Sequence, residues 1–232
     1  MPVTLGMDTA TADTAVAVTG AGEAIETGSG PGADGRPLHA RVLLAAIEEA
    51  VAAAGGWPAI ELIAVGLGPG SFTGLRIGIS TARALAQARE LPLVGVPSTS
   101  ALAAGIAAVP QAAERNRLAI IDARRGEVFA ALDEGSGPGN PVVCPAADLA
   151  GIFPAEALSG SLAAGDGSLR FTPEIEALGV EVLDRGSPAH RLSARQVCAL
   201  GAAADPGGLE AVRPMYLRRP DAERWRERDG RN

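Results

Sequence analysis

Val3-Thr4-Leu5-Gly6-Met7-Asp8-Thr9-Ala10-Thr11-Ala12-Asp13-Thr14-Ala15-Val16-Ala17-Val18-Thr19 is an apolar run closed by an aspartate, a polar turn, and a second apolar run. The pattern recurs later in the chain. Leu118 to Ile121 ends in Asp122, a polar turn follows over Ala123-Arg124-Arg125-Gly126-Glu127, and Val128 to Leu132 runs back. Each copy predicts a β-hairpin. A unit met twice in one chain predicts a pair of related lobes.

Around the first copy, strands alternate with helices. A Gly/Pro loop over Gly28 to Pro37 leads into a helix over Leu38 to Ala54, with Leu38, Val42, Leu43, Ile47 and Val51 on one side. A strand over Ile60 to Val65, a glycine-rich loop, a helix over Ile77 to Ala88 and a strand over Leu93 to Val96 follow. Ser98 is the expected N-cap of a helix starting near Thr99. The second half repeats this less cleanly. It has a turn over Gly135 to Pro141, a short helix over Ala146 to Phe153 and a strand over Leu158 to Ala164. The tight turn Gly165-Asp166-Gly167, a strand over Val180 to Leu183 and a helix over Ser193 to Ala204 come next. Beyond Pro206 the chain is read as extended, through Val212 to Arg218. The alternation predicts an α/β fold.

The most specific stretch is Gly66-Leu67-Gly68-Pro69-Gly70-Ser71-Phe72-Thr73-Gly74-Leu75-Arg76-Ile77-Gly78. A glycine-rich turn between strand and helix lets backbone approach something closely, often an anion. It is not a Walker A loop, because Gly74 is followed by Leu75 and Arg76 rather than Lys and Ser or Thr. Nor is it Gly-x-Gly-x-x-Gly, since Thr73 stands at the third glycine position. Gly70, Gly74, Gly78, Ala82 and Ala86 recur every four residues and share one stripe of a helix. Each helical glycine costs about 1 kcal/mol relative to alanine. Close approach of another backbone accounts for that cost, either inside the domain or from a partner.

Composition narrows the chemistry. The chain of 232 residues is 47% hydrophobic and 3% aromatic, so its core is aliphatic. All 20 basic residues are arginine, which removes lysine Schiff bases and lysine phosphate grips. A net charge of −7 argues against nucleic-acid binding by the chain as a whole. Arg213, Arg218, Arg219, Arg224, Arg226, Arg228 and Arg231 gather near the end, the later ones interleaved with acids, and read as a solvated tail. Cys144 and Cys198 lack metal-like spacing and fit reduced thiols in the cytoplasm. The start shows no basic leader, and no apolar run reaches membrane-spanning length.

Candidate catalytic groups are few. Asp8 and Asp122 end strands beside turns. Each is read either as a carboxylate that holds a metal–phosphate complex or as a turn residue bonding local N–H groups. For Asp122, flanked by Arg124 and Arg125, the turn reading is preferred. His39 and His190 are isolated, so a zinc peptidase site has no ligand set, and both are expected at the surface or as caps. Ser71 and Thr73 lie outside any Gly-x-Ser-x-Gly elbow. Arg76 and Arg83 are read as surface arginines, with pairing to a partner's acids or to phosphate as the alternative.

Gly68 to Gly78 resembles the signature of the bacterial TsaB (YeaZ) family. Asp8-Thr9-Ala10-Thr11, Asp122 to Val128 and Pro214-Met215-Tyr216-Leu217-Arg218 resemble its other blocks, in the same order. The resemblance implies an actin/Hsp70/sugar-kinase-like fold with two ribonuclease-H-like lobes from an internal duplication. The first lobe would hold residues 1–103 plus roughly 193–220, the second 104–192, with a charged tail over 221–232. It implies a non-catalytic relative of TsaD, the subunit that installs threonylcarbamoyl on adenosine next to the anticodon of ANN-reading tRNAs. The expected role is a dimerisation and activation subunit that binds TsaD, has TsaE as a further partner, forms homodimers alone, and meets tRNA only through the complex. The expected partner interface is Gly70, Ser71, Phe72, Thr73, Gly74, Arg76, Gly78, Ala82 and Arg83, beside the helix from Leu38. Asp8, Thr9, Gly165, Asp166 and Gly167 are the expected vestige of a nucleotide site, with ATP or ADP at or near the TsaD interface and no metal ligands. The rival reading is a free-standing ATP-dependent enzyme of the sugar-kinase type. A glycoprotease, an older label for the superfamily, lacks ligands.

Overall fold

The computed structural model describes residues 1–218. The tail over 221–232, with Arg219 and the arginines after it, lies outside the described residues. In the first lobe β1 (Thr4–Asp8), β2 (Thr14–Thr19) and β3 (Ile25–Ser29) precede α1 (His39–Ala53). β4 (Leu62–Gly66), α2 (Phe72–Arg89), β5 (Leu93–Val96) and α3 (Ser98–Ala107) follow. The sheet order is β3-β2-β1-β4-β5. β1–β2 and β2–β3 are antiparallel, while β1–β4 and β4–β5 are parallel.

The second lobe repeats this. β6 (Arg117–Arg124), β7 (Glu127–Asp133) and β8 (Val142–Pro145) precede α4 (Ala155–Leu158), β9 (Leu162–Ala164), α5 (Asp166–Arg170), α6 (Thr172–Glu176) and β10 (Glu181–Val182). The order β10-β9-β6-β7-β8 is the first sheet's order read from the other edge, with matching strand directions. In register, Asp8 faces Ala15 and Asp122 faces Val128. The duplication read from two hairpins therefore extends over five strands in each lobe.

Two helices are exchanged between the lobes. α3 follows the first sheet in the chain but packs on β6, β7 and β9. α7 (Ala194–Ala202) follows the second sheet but packs on β1, β2 and β4. The two helices touch each other between the sheets. By its contacts, α7 lies with the first sheet. The expected boundary at 103 falls inside α3, which packs on the second sheet.

The exchange explains the core. Strands buried on both faces read as continuous apolar runs. Along β6, Ala119 and Ile121 join the interior shared with the first lobe, while Leu118 and Ile120 face a separate core under α6, the period-2 alternation of a strand. Leu102 and Ile106 of α3 are fully buried in the shared interior. Truncating either to alanine costs about 2–5 kcal/mol.

Helix α2 starts before the predicted Ile77, because Ser71 caps it: its Oγ accepts from the Gly74 N–H at 3.2 Å. Glu90 ends it in the left-handed region at φ 54°. Among the described residues, no helix is long and apolar enough to cross a membrane.

Candidate functional site

A cleft of about 540 Å³ opens between the lobes. One wall is the β1–β2 turn (Ala10 to Ala12) with Ser71, Phe72 and Thr73 at the start of α2. The other is the β6–β7 hairpin (Asp122 to Arg125, Phe129) with Asp166, and Met215 to Arg218 close one side. The two copies of the duplicated hairpin thus face each other.

Asp8 does not reach this cleft. It is 1% exposed. Its Oδ1 accepts from the Ala10 N–H at 2.7 Å, and its Oδ2 accepts from the Ser98 hydroxyl at 2.6 Å. A side chain on Gly66 would overlap the Asp8 carboxylate, so that glycine makes room for it. Ser98, read as a helix cap, spends its hydroxyl on Asp8. It also accepts from the Gly68 N–H at 3.1 Å, while its own N–H donates to the Gly68 carbonyl at 2.7 Å. Asp8 and Ser98 therefore brace the glycine loop from beneath. Burial raises the Asp8 carboxyl to about 6, against the hydrogen bonds from Ser98, Ala10 and Thr9 that pull it down.

Thr9, 2% exposed, donates its hydroxyl to the Gly74 carbonyl at 2.8 Å. Gly165 and Gly167 press on β6: a Cβ on either would overlap backbone between Ile120 and Asp122. Asp166 lines the cleft, but its Oδ1 accepts from the Asp122 N–H at 2.9 Å, and burial raises its pKa. Asp122 follows the turn reading. Its Oδ1 accepts from the Arg124 N–H at 2.8 Å, and its Oδ2 pairs with Arg170 at 2.9 Å and Arg124 at 3.4 Å.

A nucleotide–metal complex needs carboxylates and donors aimed into the cleft. Of Asp8, Thr9, Gly165, Asp166 and Gly167, only Asp166 lines it. Among the described residues, no group of three or more His, Cys, Asp or Glu could hold a metal ion. Asp8, Thr9, Gly165 and Gly167, read as the vestige of a nucleotide site, are instead spent on packing and hydrogen bonds within the fold.

The histidines are also corrected, from surface or cap to core. His39 is 3% exposed, with Nδ1 2.8 Å from the Thr14 hydroxyl and Nε2 3.1 Å from the Thr11 carbonyl. Burial lowers its pKa, so the neutral ring ties α1 to the β1–β2 turn. His190 is 6% exposed; its Nδ1 accepts from the Gly165 N–H at 3.2 Å, and its Nε2 lies 3.0 Å from the Leu183 carbonyl. Burial raises both thiols, Cys198 to about 11.

The small-residue stripe faces inward. A Cβ on Gly70 would overlap the Ala10 carbonyl, one on Gly74 the Thr9 carbonyl, and one on Gly78 the Thr9 hydroxyl. Ala82 and Ala86 are buried against the first sheet. The glycines let α2 lie on the β1–β2 turn, and the placing of Gly70, Gly74, Gly78 and Ala82 on a partner surface is corrected. Ser71 is used as the cap. Phe72, Thr73 and Arg76 are exposed and Arg83 half-buried, on the outer side of α2. Arg76 lies over the Phe72 ring at 3.9 Å and donates to the Tyr216 hydroxyl at 3.1 Å; Arg83 pairs with Glu210 at 3.0 Å. Arg218, read as part of a solvated tail, instead donates to the Ala123 carbonyl at 2.9 Å and pairs with Glu127. The signal for it was the Pro214–Arg218 block, which has no local periodicity.

Two duplicated lobes with exchanged helices and a cleft between paired hairpins define the actin/Hsp70/sugar-kinase-like fold. A ROK hexokinase from Thermus thermophilus shares it, with a TM-score of 0.51, 14% identity, and coverage of 88% of this chain and 99% of that one. That likeness is one of fold alone. Sequence comparison is narrower. Residues 35–150 match the family described as TsaD: tRNA N6-adenosine threonylcarbamoyltransferase. The tRNA threonylcarbamoyladenosine biosynthesis protein TsaB of Escherichia coli is 49% identical over 70 residues, which are 30% of this chain and 29% of that protein. An uncharacterised protein of Mycobacterium tuberculosis is 33% identical over 165 residues, 71% of this chain and 67% of that protein. YeaZ from Pseudomonas aeruginosa superposes with a TM-score of 0.75 at 27% identity, over 94% of this chain and all of that one (100%). The chain belongs to the TsaB (YeaZ) family.

Proposed function

We propose that the chain is a non-catalytic dimerisation and activation subunit of the tRNA N6-adenosine threonylcarbamoyltransferase complex. In this reading it binds TsaD and supports threonylcarbamoyladenosine formation next to the anticodon of ANN-reading tRNAs. The observation that carries it is the commitment of the candidate catalytic groups to structure. Asp8, His39 and His190 are each buried and hydrogen-bonded within the fold. A free-standing kinase would need Asp8 in the cleft, and its carboxylate is instead buried and bonded to the Ala10 N–H and the Ser98 hydroxyl.

The partner-facing surface in this reading is the outer side of α2 with the neighbouring α1. α2 carries Phe72 at 39% exposure and α1 carries Leu44 at 60%, two of the exposed large apolar side chains among the described residues. On α2, Arg76 lies over the Phe72 ring, and Ser80 is exposed farther along the helix. Exposed aromatic and aliphatic side chains beside arginine are a composition found at protein interfaces. TsaD takes this surface in the complex, a second copy of the chain takes it in the homodimer, and TsaE joins as a further partner. The subunit works in the cytoplasm.

The test is co-purification with the TsaD of the same organism, followed by tRNA modification with and without this chain. A stable complex and a rate that depends on the chain are expected. Modification by TsaD alone at the full rate, or failure to form a complex, overturns the reading.

A further inference from the structure

The segment after the last helix crosses from one lobe to the other. Val212, 3% exposed, roots it in the shared core. The Met215 N–H donates to the Leu67 carbonyl in the glycine loop at 2.7 Å. The Tyr216 ring lies against Phe72, centroids 5.1 Å apart, and its hydroxyl accepts from Arg76. Two residues on, Arg218 reaches the second lobe, where it donates to the Ala123 carbonyl and pairs with Glu127.

Those two anchor points flank the tip of the β6–β7 hairpin. Arg124 and Arg125 stand in the left-handed region at φ 64° and 57°, followed by Gly126 at φ 82°. Non-glycine residues keep that conformation only where their surroundings hold it. Arg218 supplies such a hold, gripping the carbonyl just before the tip and the carboxylate just after it. Its side chain is 18% exposed, so the grip is largely shielded from solvent. The segment also forms one side of the cleft.

We propose that residues 212–218 are an interlobe clasp that fixes the aperture of the cleft, with Tyr216 as its catch on α2 and Arg218 as its hook on the β6–β7 tip. The catch is 41% exposed, beside the outer side of α2. Contact there reaches the second lobe two residues farther along the chain. Release of the catch therefore loosens a hairpin on the opposite wall.

The experiment measures the aperture in the full-length chain by electron–electron double resonance. Spin labels go on Ala88→Cys in α2 and Glu174→Cys in α6, both exposed. Cys144 and Cys198 are 7% and 0% exposed, so labelling is confined to the introduced thiols. Tyr216→Ala and Arg218→Ala are each expected to broaden the interlobe distance and shift it outward. Arg213→Ala, on the same segment and 71% exposed, is expected to leave it unchanged. Should Arg218→Ala not fold, Arg218→Lys replaces it, because lysine keeps the charge but loses the planar fork that serves both partners. Distributions that superimpose on the parent's in both variants overturn the clasp. A change with the Arg218 substitution alone overturns it as well, since Arg218 is then only a local brace of its hairpin.

Discussion

Replacing Gly74 by alanine sets two effects of opposite sign against each other, and the structure decides which wins. Helix propensity favours alanine by about 1 kcal/mol. The new Cβ, however, would stand 2.1 Å from the Thr9 carbonyl oxygen and 3.3 Å from His39 Nε2. The first distance lies far inside contact, and its partner is backbone that cannot swing away. The Thr9 hydroxyl holds the same turn to α2 through the Gly74 carbonyl, and His39 holds it to α1. Overpacking of this kind costs about 1–3 kcal/mol, and a rigid neighbour puts Gly74 at the upper end. The net loss is about 2 kcal/mol, which lowers Tm by roughly 4–8 °C in a chain of this size. Gly105 is the control. It also lies in a helix, and a Cβ there meets nothing within 4 Å. Gly105→Ala should therefore gain up to about 1 kcal/mol and raise Tm by roughly 2–4 °C. Scanning calorimetry of the two variants beside the parent measures both. If Gly74→Ala stabilises as Gly105→Ala does, α2 does not press on the β1–β2 turn, and the small-residue stripe is free to serve a partner after all.

Asp8 gives a pH signature. Its folded pKa of about 6 lies above the ordinary 3.8, so the fold favours the protonated form. That contribution is complete below the unfolded value and is lost as pH rises through about 6, a swing of roughly 3 kcal/mol. Asp8→Asn keeps the acceptor for the Ala10 N–H. Urea unfolding from pH 4 to 7 should show the stability difference between parent and variant moving in the variant's favour as pH rises; a flat difference refutes the assignment. Leu44→Asp alters an exposed side chain, so it should weaken TsaD binding at least tenfold, about 1.4 kcal/mol, with Tm unchanged. Unchanged affinity by titration calorimetry removes α1 from the interface. With a net charge of −7, the isolated chain should bind tRNA weakly or not at all, since phosphate neutralisation dominates such affinity. Micromolar, salt-sensitive binding in a filter assay moves the RNA contact to this subunit.

The fold could be read because the duplicated hairpins carry their pattern locally: apolar run, aspartate, polar turn, apolar run. β3 and β8 were missed for the complementary reason. Ile25–Ser29 alternates half-buried and exposed positions at a sheet edge, so its polar residues look like loop, and Val142–Pro145 is short and only partly covered. The direction of Asp8 was not legible at all. Alternation separates two faces of a strand, and on a strand with one wet face it would tell solvent from core. β1 is buried on both faces along its whole length. Neither parity then points to water, and a carboxylate at its end fits a cleft or an interior equally well. The deciding facts lie elsewhere in the chain: Gly66 leaves the space, and Ser98, 90 residues away, supplies the hydrogen bond. The clasp has the same character, for Tyr216 and Arg218 meet partners 140 and 95 residues distant. Periodicity reports what a segment buries. It does not report which remote carbonyl a single arginine will grip, and in this chain the groups best placed to govern the cleft are set by such remote contacts.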